Sequence, residues 1–165
     1  MISNLDEIKK ISKANEAENW RFRSWLKFHA PRNIDSTVKK LSQKYSAIID
    51  CKQCANCCKS LEIVMHSKDL EILSKETKLS VQEFEKKYTR IDEDSDRVLN
   101  PPCPVLKNNL CSIYNSRPET CRTYPHLEES GFISRLIGVI HSLSICPIAF
   151  NTFQELKSKM NWQGQ

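Results

Sequence analysis

The sequence predicts a mainly α-helical fold, a small single domain in which helices surround irregular cysteine-rich loops. The 165 residues include only three glycines, so few positions suit the tight turns of a large sheet. Apolar residues recur at helical spacing, and three Ser/Thr-x-x-Glu sequences typical of helix starts are spread along the chain. A hydrophobic share of 39% is enough for one modest core at this length.

Two helices are expected in the first fifty residues, over about 5–28 and about 36–49, with Pro31 between them. This segment has ten Lys or Arg residues against six acidic ones, which accounts for most of the net charge of +5. Aromatic and basic residues interleave over 20–29, a pattern found on surfaces that bind nucleic acid or acidic proteins. We favour an amphipathic helix with aromatic residues inward and basic side chains in solvent. Nucleic acid is therefore not expected, and the helix is a candidate surface for a protein partner.

Four further helices are predicted from their N-terminal signals. Ser67 is expected to cap a helix through about Glu76. The other three starts are Ser/Thr-x-x-Glu boxes, at 80–83 with a helix to about Tyr88, at 116–119 with Pro118 in the first turn, and at 152–155.

Short strands are predicted between these helices. Segments 88–91 and 97–99 flank an acidic turn at 92–96, and Asn108-Asn109 predicts a tight turn, and so one short hairpin, between 104–106 and 110–113. The acidic turn lacks the ligand spacing and the glycine of a calcium loop, so calcium is not expected.

The cysteines are expected to be reduced, because the chain has the features of a cytoplasmic protein. Acidic residues stand where a signal peptide has basic ones, and no apolar run follows them. The most apolar stretch, 136–150, is interrupted by polar residues and is shorter than a membrane span, so it is predicted to be core. In a reducing compartment, metal-bound thiolates are favoured over disulfides. The scarcity of glycine also argues against nucleotide cofactors in Gly-rich loops.

The eight cysteines form one dense block and four later positions. The block holds Cys51, Cys54, Cys57 and Cys58, and the later positions are Cys103, Cys111, Cys121 and Cys146. A Cys-x2-Cys spacing lets two thiolates reach one metal from a turn or a helix start. Side chains of adjacent residues point apart, which favours two metals, or two sides of one cluster, for the last two cysteines of the block.

Two kinds of metal centre fit this spacing. Zinc takes four tetrahedral ligands, so eight thiolates suit two zinc sites, both completed by later cysteines. A [4Fe-4S] cluster is the alternative, with ligands from 51, 54 and 57 and a fourth from a distant Cys-Pro, either Cys103-Pro104 or Cys146-Pro147.

Some positions have competing interpretations. Any later cysteine taken alone fits a buried small hydrophobic residue, and Cys146, in the most apolar surroundings, is the least expected ligand. His66, His126 and His141 are alternative ligands, of which His126 is favoured because it follows Cys121 closely. Each histidine taken alone is more typical of a cap or a core position.

The residues around the later cysteines carry a family resemblance. The block is followed by Cys103-Pro-Val-Leu and then by Cys111-Ser-Ile-Tyr-x2-Arg-Pro-x2-Cys121-Arg-Thr-Tyr-Pro. In this order the motifs resemble the YkgJ-like cysteine-cluster family, described as a zinc- or iron-chelating domain, over about 51–146. The resemblance implies metal chelation through the eight cysteines. This chain has Ala55 where the family often has glycine, and Tyr124 where it often has phenylalanine.

Arg117 and Arg122 are expected to support the metal site. A guanidinium beside several thiolates offsets their charge and donates hydrogen bonds to sulfur. The competing interpretation is ordinary helix surface. Tyr114 and Tyr124 are expected to be packing residues.

Three functions follow as hypotheses. We favour a zinc- or iron-chelating protein whose metal is structural or is the cargo. The second is an iron-sulfur protein in electron transfer or redox chemistry. The third is a metal-dependent enzyme related to flagellin lysine methylases, which have a similar cysteine cluster, but no catalytic constellation is recognisable. The expected organisation is a helical extension at 1–50, a cysteine-cluster domain at 51–150 and a C-terminal helix at 151–165.

Overall fold

The structure, a computed structural model, describes residues 1–164. It is mainly helical with two small antiparallel sheets, which confirms the predicted fold class. The helices are α1 (Leu5–Ala14), α2 (Glu16–His29), α3 (Ile34–Ser46), α4 (Cys51–Cys54), α5 (Asn56–Ser60), α6 (Ser67–Thr77), α7 (Val81–Tyr88), α8 (Glu119–Thr123), α9 (Leu136–Ser142) and α10 (Pro147–Lys159). The strands are β1 (Ile63–Val64), β2 (Thr89–Ile91), β3 (Arg97–Leu99), β4 (Leu106–Lys107) and β5 (Leu110–Cys111).

The chain divides into two compact units. The first, called here the helical unit, comprises Met1–Asp50 and the chain from Thr123 onward. The second, called here the cysteine unit, comprises Cys51–Arg122. Seven of the eight cysteines therefore belong to the cysteine unit.

The helical unit is built on a core of twenty buried residues. Helix α10 packs against α3 and α1, and it supplies several fully enclosed side chains such as Phe153 and Leu156. The apolar stretch 136–150 contributes eight of the core residues, which confirms its prediction as core. Lys157 is also buried, and its Nζ donates to Glu18 and Asn19, so one cation joins α10 to α2.

The predicted helix over 5–28 is two helices. Asn15 ends α1 and begins α2 with φ −101° and ψ 15°, and its N–H donates to the Ile11 carbonyl. Asparagine has low helix propensity, because its side chain competes for nearby backbone groups, so a break here is inexpensive. The next helix also differs from its prediction, since α3 begins at Ile34 and ends at Ser46.

Helix α2 is amphipathic, as the interleaved aromatic and basic residues predict. Phe22 and Leu26 are fully buried, and Trp20 and Trp25 pack against the same core. Phe28 is the exception, at 85% exposed.

The cysteine unit has a smaller core of seven buried residues. Helices α6 and α7 pack together, and the three-stranded sheet has the order β1-β3-β2. The acidic turn at 92–96 joins β2 and β3 as predicted, with Asp92 Oδ1 accepting hydrogen bonds from the N–H groups of Asp94 and Asp96. The predicted hairpin is also present, as β4 and β5, while strand β1 was not predicted.

One predicted capping box is confirmed and one predicted cap is shifted. Ser80 caps α7 and its hydroxyl accepts from the Glu83 N–H, while the Glu83 carboxylate accepts from the Ser80 N–H. The cap of α6 is His66 rather than Ser67, because the carboxylate of Asp69 accepts from the His66 N–H and fixes the start one residue earlier.

The other two predicted boxes are wrong. Ser116 ends a short 3₁₀ turn and donates to the Ile113 carbonyl, and α8 begins only at Glu119. Thr152 lies inside α10, which begins five residues earlier because Pro147 is preorganised for the first helical position. No helix in the described part of the chain is long and apolar enough to cross a membrane.

Candidate metal centre

The first four cysteines lie on two very short helices. Cys51 and Cys54 begin and end α4, and Cys57 and Cys58 lie in α5. Between the helices, Ala55 is buried and adopts the left-handed conformation, with φ 49° and ψ 11°. This conformation favours glycine, because a residue without a Cβ adopts it at little steric cost. The reversal at Ala55 lets one short segment present thiols from both helices.

The later cysteines of the unit are held by tight turns. The N–H of Cys103 donates to the Cys58 carbonyl at 2.8 Å, which joins this cysteine directly to the first block. After Cys103 the chain enters the β4–β5 hairpin, whose turn residues Asn108 and Asn109 have φ of 50° and 64°. Asparagine tolerates this conformation better than most residues, and the two-residue turn sets Cys111 opposite Leu106.

Backbone N–H groups donate to two of the sulfur atoms. Cys103 accepts from the N–H groups of Val105 and Leu106, and Cys111 accepts from the N–H of Ile113. These bonds stabilise the thiolate and so act to lower the pKa of the two thiols. Burial has the larger effect, and the pKa of both thiols is raised overall. Such donors are a common feature around metal-bound thiolates, where they orient the ligand and spread its charge.

Four thiols interact electrostatically with one another, namely Cys58, Cys103, Cys111 and Cys121. They are called here the four-thiol group. Burial, together with smaller contributions from the neighbouring thiols of the group, raises the pKa of Cys121 to about 12. Burial and the same neighbours raise the pKa of Cys103 to about 11, and that of Cys111 also lies above its usual value. These three cysteines are therefore neutral thiols at pH 7 when no metal is bound.

Cys58 is the exception, with its pKa lowered to about 7. The main cause is a hydrogen bond from the Cys57 thiol. Burial opposes this effect, and the positive charges of Arg117 and Lys59 add to the lowering. One thiolate is thus readily available in the group, next to three protonated thiols.

Arg117 is the cation of the four-thiol group. Its charge lowers the pKa of Cys58, Cys111 and Cys121. The guanidinium lies 3.8 Å from the ring centre of Tyr114, and its Nε–H is enclosed without a hydrogen-bond acceptor among the described residues. Arg122 differs, since its side chain is exposed.

The chemistry of these residues fits a thiophilic metal ion. Four thiols, N–H groups aimed at sulfur and a cation with an unsatisfied donor are what a site with four thiolates needs. A bound divalent cation would displace the thiol protons, and the resulting thiolates would give the Arg117 Nε–H an acceptor. Over residues 1–164, no three His, Cys, Asp or Glu side chains already stand in an arrangement that could hold a metal ion.

The remaining predicted ligands are placed as follows. In the cysteine unit, Cys51 is exposed, and Cys54 and Cys57 are half-buried on the same two helices as Cys58. In the helical unit, Cys146 is buried in the apolar core at the start of α10.

The three candidate histidines each have a local role. His66 caps α6, and His126 lies beside the Thr123 hydroxyl and the Glu129 carboxylate. His141 packs edge-on against Trp20. Sequence reasoning did not find the N–H donors to sulfur, although the Cys103-Pro104 pair is a signal for such a turn because proline restricts the backbone there.

The comparisons with known proteins identify a family for this site. No curated protein and no solved structure gives a significant match to the chain. A family model named CxxCxxCC, with the description "Putative zinc- or iron-chelating domain", matches residues 50–139. The matched segment includes all cysteines of the cysteine unit and ends before Cys146. Since it covers more than half of the 165 residues, the chain belongs to the CxxCxxCC family of zinc- or iron-chelating domains.

Proposed function

We propose that this protein binds zinc or iron through cysteine thiolates, with the four-thiol group as the resident site. The observation that carries the proposal is the mutual electrostatic interaction of four thiols drawn from α5, the turn at Cys103, β5 and α8. Their separation in sequence means that one ion bound by all four would cross-link most of the cysteine unit. The metal then has a structural or a chelating role, and no catalytic residue is proposed.

Charge compensation supports the same site. A divalent cation with four thiolates carries a net charge of −2, which is costly to enclose unless cations lie close by. The positive charges of Arg117 and Lys59 lower the pKa of Cys58 and so favour its thiolate. The cysteine unit therefore has positive charge next to the four-thiol group. A bound zinc or iron ion would contribute strong bonds to deprotonated sulfur and hold the segments together.

Cys51, Cys54, Cys57 and Cys146 remain proposed ligands as well. The first three retain the Cys-x2-Cys-x2-Cys spacing on α4 and α5. If they bind a second ion or an iron-sulfur cluster, the protein will contain more than one metal ion per chain. A cytoplasmic location agrees with reduced thiols at the four-thiol group. A protein partner at α2 is supported by the exposure of Phe28.

Metal content per chain tests the proposal. Protein purified without oxygen is analysed for zinc, iron and acid-labile sulfide. We expect at least about one metal ion per chain, and a loss of most of one ion in Cys121→Ser, because one of four bonds to a shared ion is removed. Thr123→Ala is the matched control two residues away, since Thr123 bonds to His126 and lies outside the group.

Undiminished metal in both Cys121→Ser and Cys103→Ser would refute the four-thiol site. Sulfide in proportion to iron would identify a cluster, whereas zinc without sulfide would identify a simple thiolate site. The metal content of the Cys146→Ser variant decides whether that buried cysteine is a ligand or a core residue. A lower metal content identifies a ligand, and an unchanged metal content identifies a core residue.

A further inference from the structure

The ring of Tyr114 is in contact with two cations. Arg117 Cζ lies 3.8 Å from the ring centre and Lys52 Nζ lies 4.7 Å from it. Tyr114 opens the 3₁₀ turn between Cys111 and Cys121, and Lys52 lies in α4 directly after Cys51. The ring therefore connects the two parts of the cysteine unit that carry most of its thiols.

Two positive groups on one ring repel each other unless negative charge lies nearby. Each gains from the negative face of the ring, but the gain at a partly exposed site is small. The four-thiol group supplies negative charge to Arg117 once its protons are displaced, since Arg117 already interacts with Cys58, Cys111 and Cys121. The contact between Tyr114 and Arg117 is thus better matched to the metal-bound state than to neutral thiols.

The enclosed Nε–H of Arg117 leads to the same conclusion. Buried donors normally have an acceptor, and an unsatisfied donor indicates a missing one. A thiolate sulfur accepts such a bond, and a guanidinium held 3.8 Å from the centre of an aromatic ring has a restricted direction for its N–H groups. A flexible arginine without that ring would lose more conformational freedom on making the bond.

We propose that Tyr114 is a positioning residue of the metal site, whose ring holds Arg117 against the thiolates and contacts Lys52 of α4, and thereby strengthens metal binding. The inference rests on the proposed thiolate site. The aromatic ring carries the effect, and the hydroxyl does not. Tyr114 acts on the metal only through the two cations.

Zinc affinity, measured by competition with a chromogenic chelator, tests this inference. We expect Tyr114→Leu to bind zinc about tenfold more weakly, in line with the loss of a residue that orients a metal ligand. Tyr114→Phe is the matched control, and its affinity should stay within about twofold of the original because the ring is retained. Equal loss in the Phe and Leu variants would overturn the inference, as would no loss in either.

A double-mutant cycle separates positioning from simple packing. If Tyr114 acts through Arg117, the losses of zinc affinity in Tyr114→Leu and Arg117→Met should not add, and the double variant should resemble Arg117→Met alone. Additive losses would overturn the inference. The exposed Lys52→Gln provides a variant that leaves the core untouched, and an unchanged affinity there would remove Lys52 from the proposal. Zinc stoichiometry should stay constant in all these variants, whereas an absence of zinc binding by the unsubstituted protein would refute the thiolate site itself.

Discussion

Protonation of individual cysteines sets how metal binding depends on pH. Burial places the pKa of Cys103 at about 11 and that of Cys121 at about 12, and it raises that of Cys111. Cys58, with a pKa of about 7, is half ionised at neutral pH. These values apply to the protein without metal, so each neutral thiol must release its proton when the ion binds.

We therefore predict that binding of one zinc ion at pH 7 releases roughly three to four protons. Protons are released and not taken up on binding, because the metal-free thiols hold protons that the metal-bound thiolates do not. Zinc affinity should fall as the pH is lowered, by about tenfold per pH unit for each proton released. Calorimetry in buffers of different ionisation enthalpy measures the number of protons released per zinc ion bound. Release of one proton or fewer would contradict a site of four thiolates.

At the scale of single residues, the sequence identified the thiols but not their surroundings. Cysteine spacing predicts ligands because few other uses explain so many thiols in a short segment. The N–H groups of Val105 and Ile113 that reach sulfur, and the fixed orientation of Arg117, depend on turn geometry that residue type does not encode. Ala55 adopts the left-handed conformation between α4 and α5, and residue type alone does not indicate this backbone geometry for an alanine.

Helix starts show when a local signal is decisive. The Ser80 box predicts α7 correctly, because α6 ends at Thr77, where the left-handed backbone of Lys78 stops it before the box. The Thr152 box fails, because Pro147 and the apolar residues after it begin α10 earlier and Thr152 becomes an interior position. A capping motif is thus reliable only where no stronger start precedes it.

This difference predicts opposite effects of two substitutions. Ser80→Ala should lower the free energy of unfolding by about 1 kcal/mol, because the N–H of Glu83 loses its acceptor. Thr152→Val should leave stability unchanged or raise it by up to about 1 kcal/mol, because the buried Thr152 hydroxyl has no hydrogen-bond partner among the described residues. Urea unfolding of the metal-loaded protein measures both. A loss of similar size in the two variants would show that Thr152 also has a capping or bonding role.

At the scale of the whole molecule, the two units differ in the size of their hydrophobic cores and so in the stability that each core can provide. The helical unit has twenty buried core residues, whereas the cysteine unit has seven. A unit of about 70 residues rarely gains more than roughly 3–5 kcal/mol from its core, and smaller cores usually need a metal or a disulfide. The cysteine unit should therefore depend on its metal far more than the helical unit does.

Chelation should separate the two units experimentally. After metal removal, we expect amide hydrogen exchange in the cysteine unit to accelerate at least about tenfold, which is a loss of about 1.4 kcal/mol of local stability. Amides of α3 and α10 in the helical unit should keep their protection, because their core contains no residue of the four-thiol group. Restoration by added zinc is the control. Unchanged exchange in the cysteine unit would show that the metal is dispensable for its fold.

The fold class was predictable from composition, but the partners of each element were not. Scarce glycine and helical periodicity indicate helices and which of their faces are apolar. Periodicity does not say which apolar faces meet. The packing of α10 on α3, and the bonds of Asn151 to the backbone of Ile2, join residues more than a hundred positions apart.

The helical unit is assembled from segments on both sides of the cysteine unit, and this fixes an order of events during synthesis. Helices α1 to α3 leave the ribosome first, but Phe22 and Val38 are covered only when α10 follows. At roughly 5–20 residues per second, the intervening chain takes on the order of 10 s to translate. By then every member of the four-thiol group has emerged. A nascent chain can thus capture its metal ion before its larger apolar core closes, so metal supply would act on the newborn chain as well as on the finished protein.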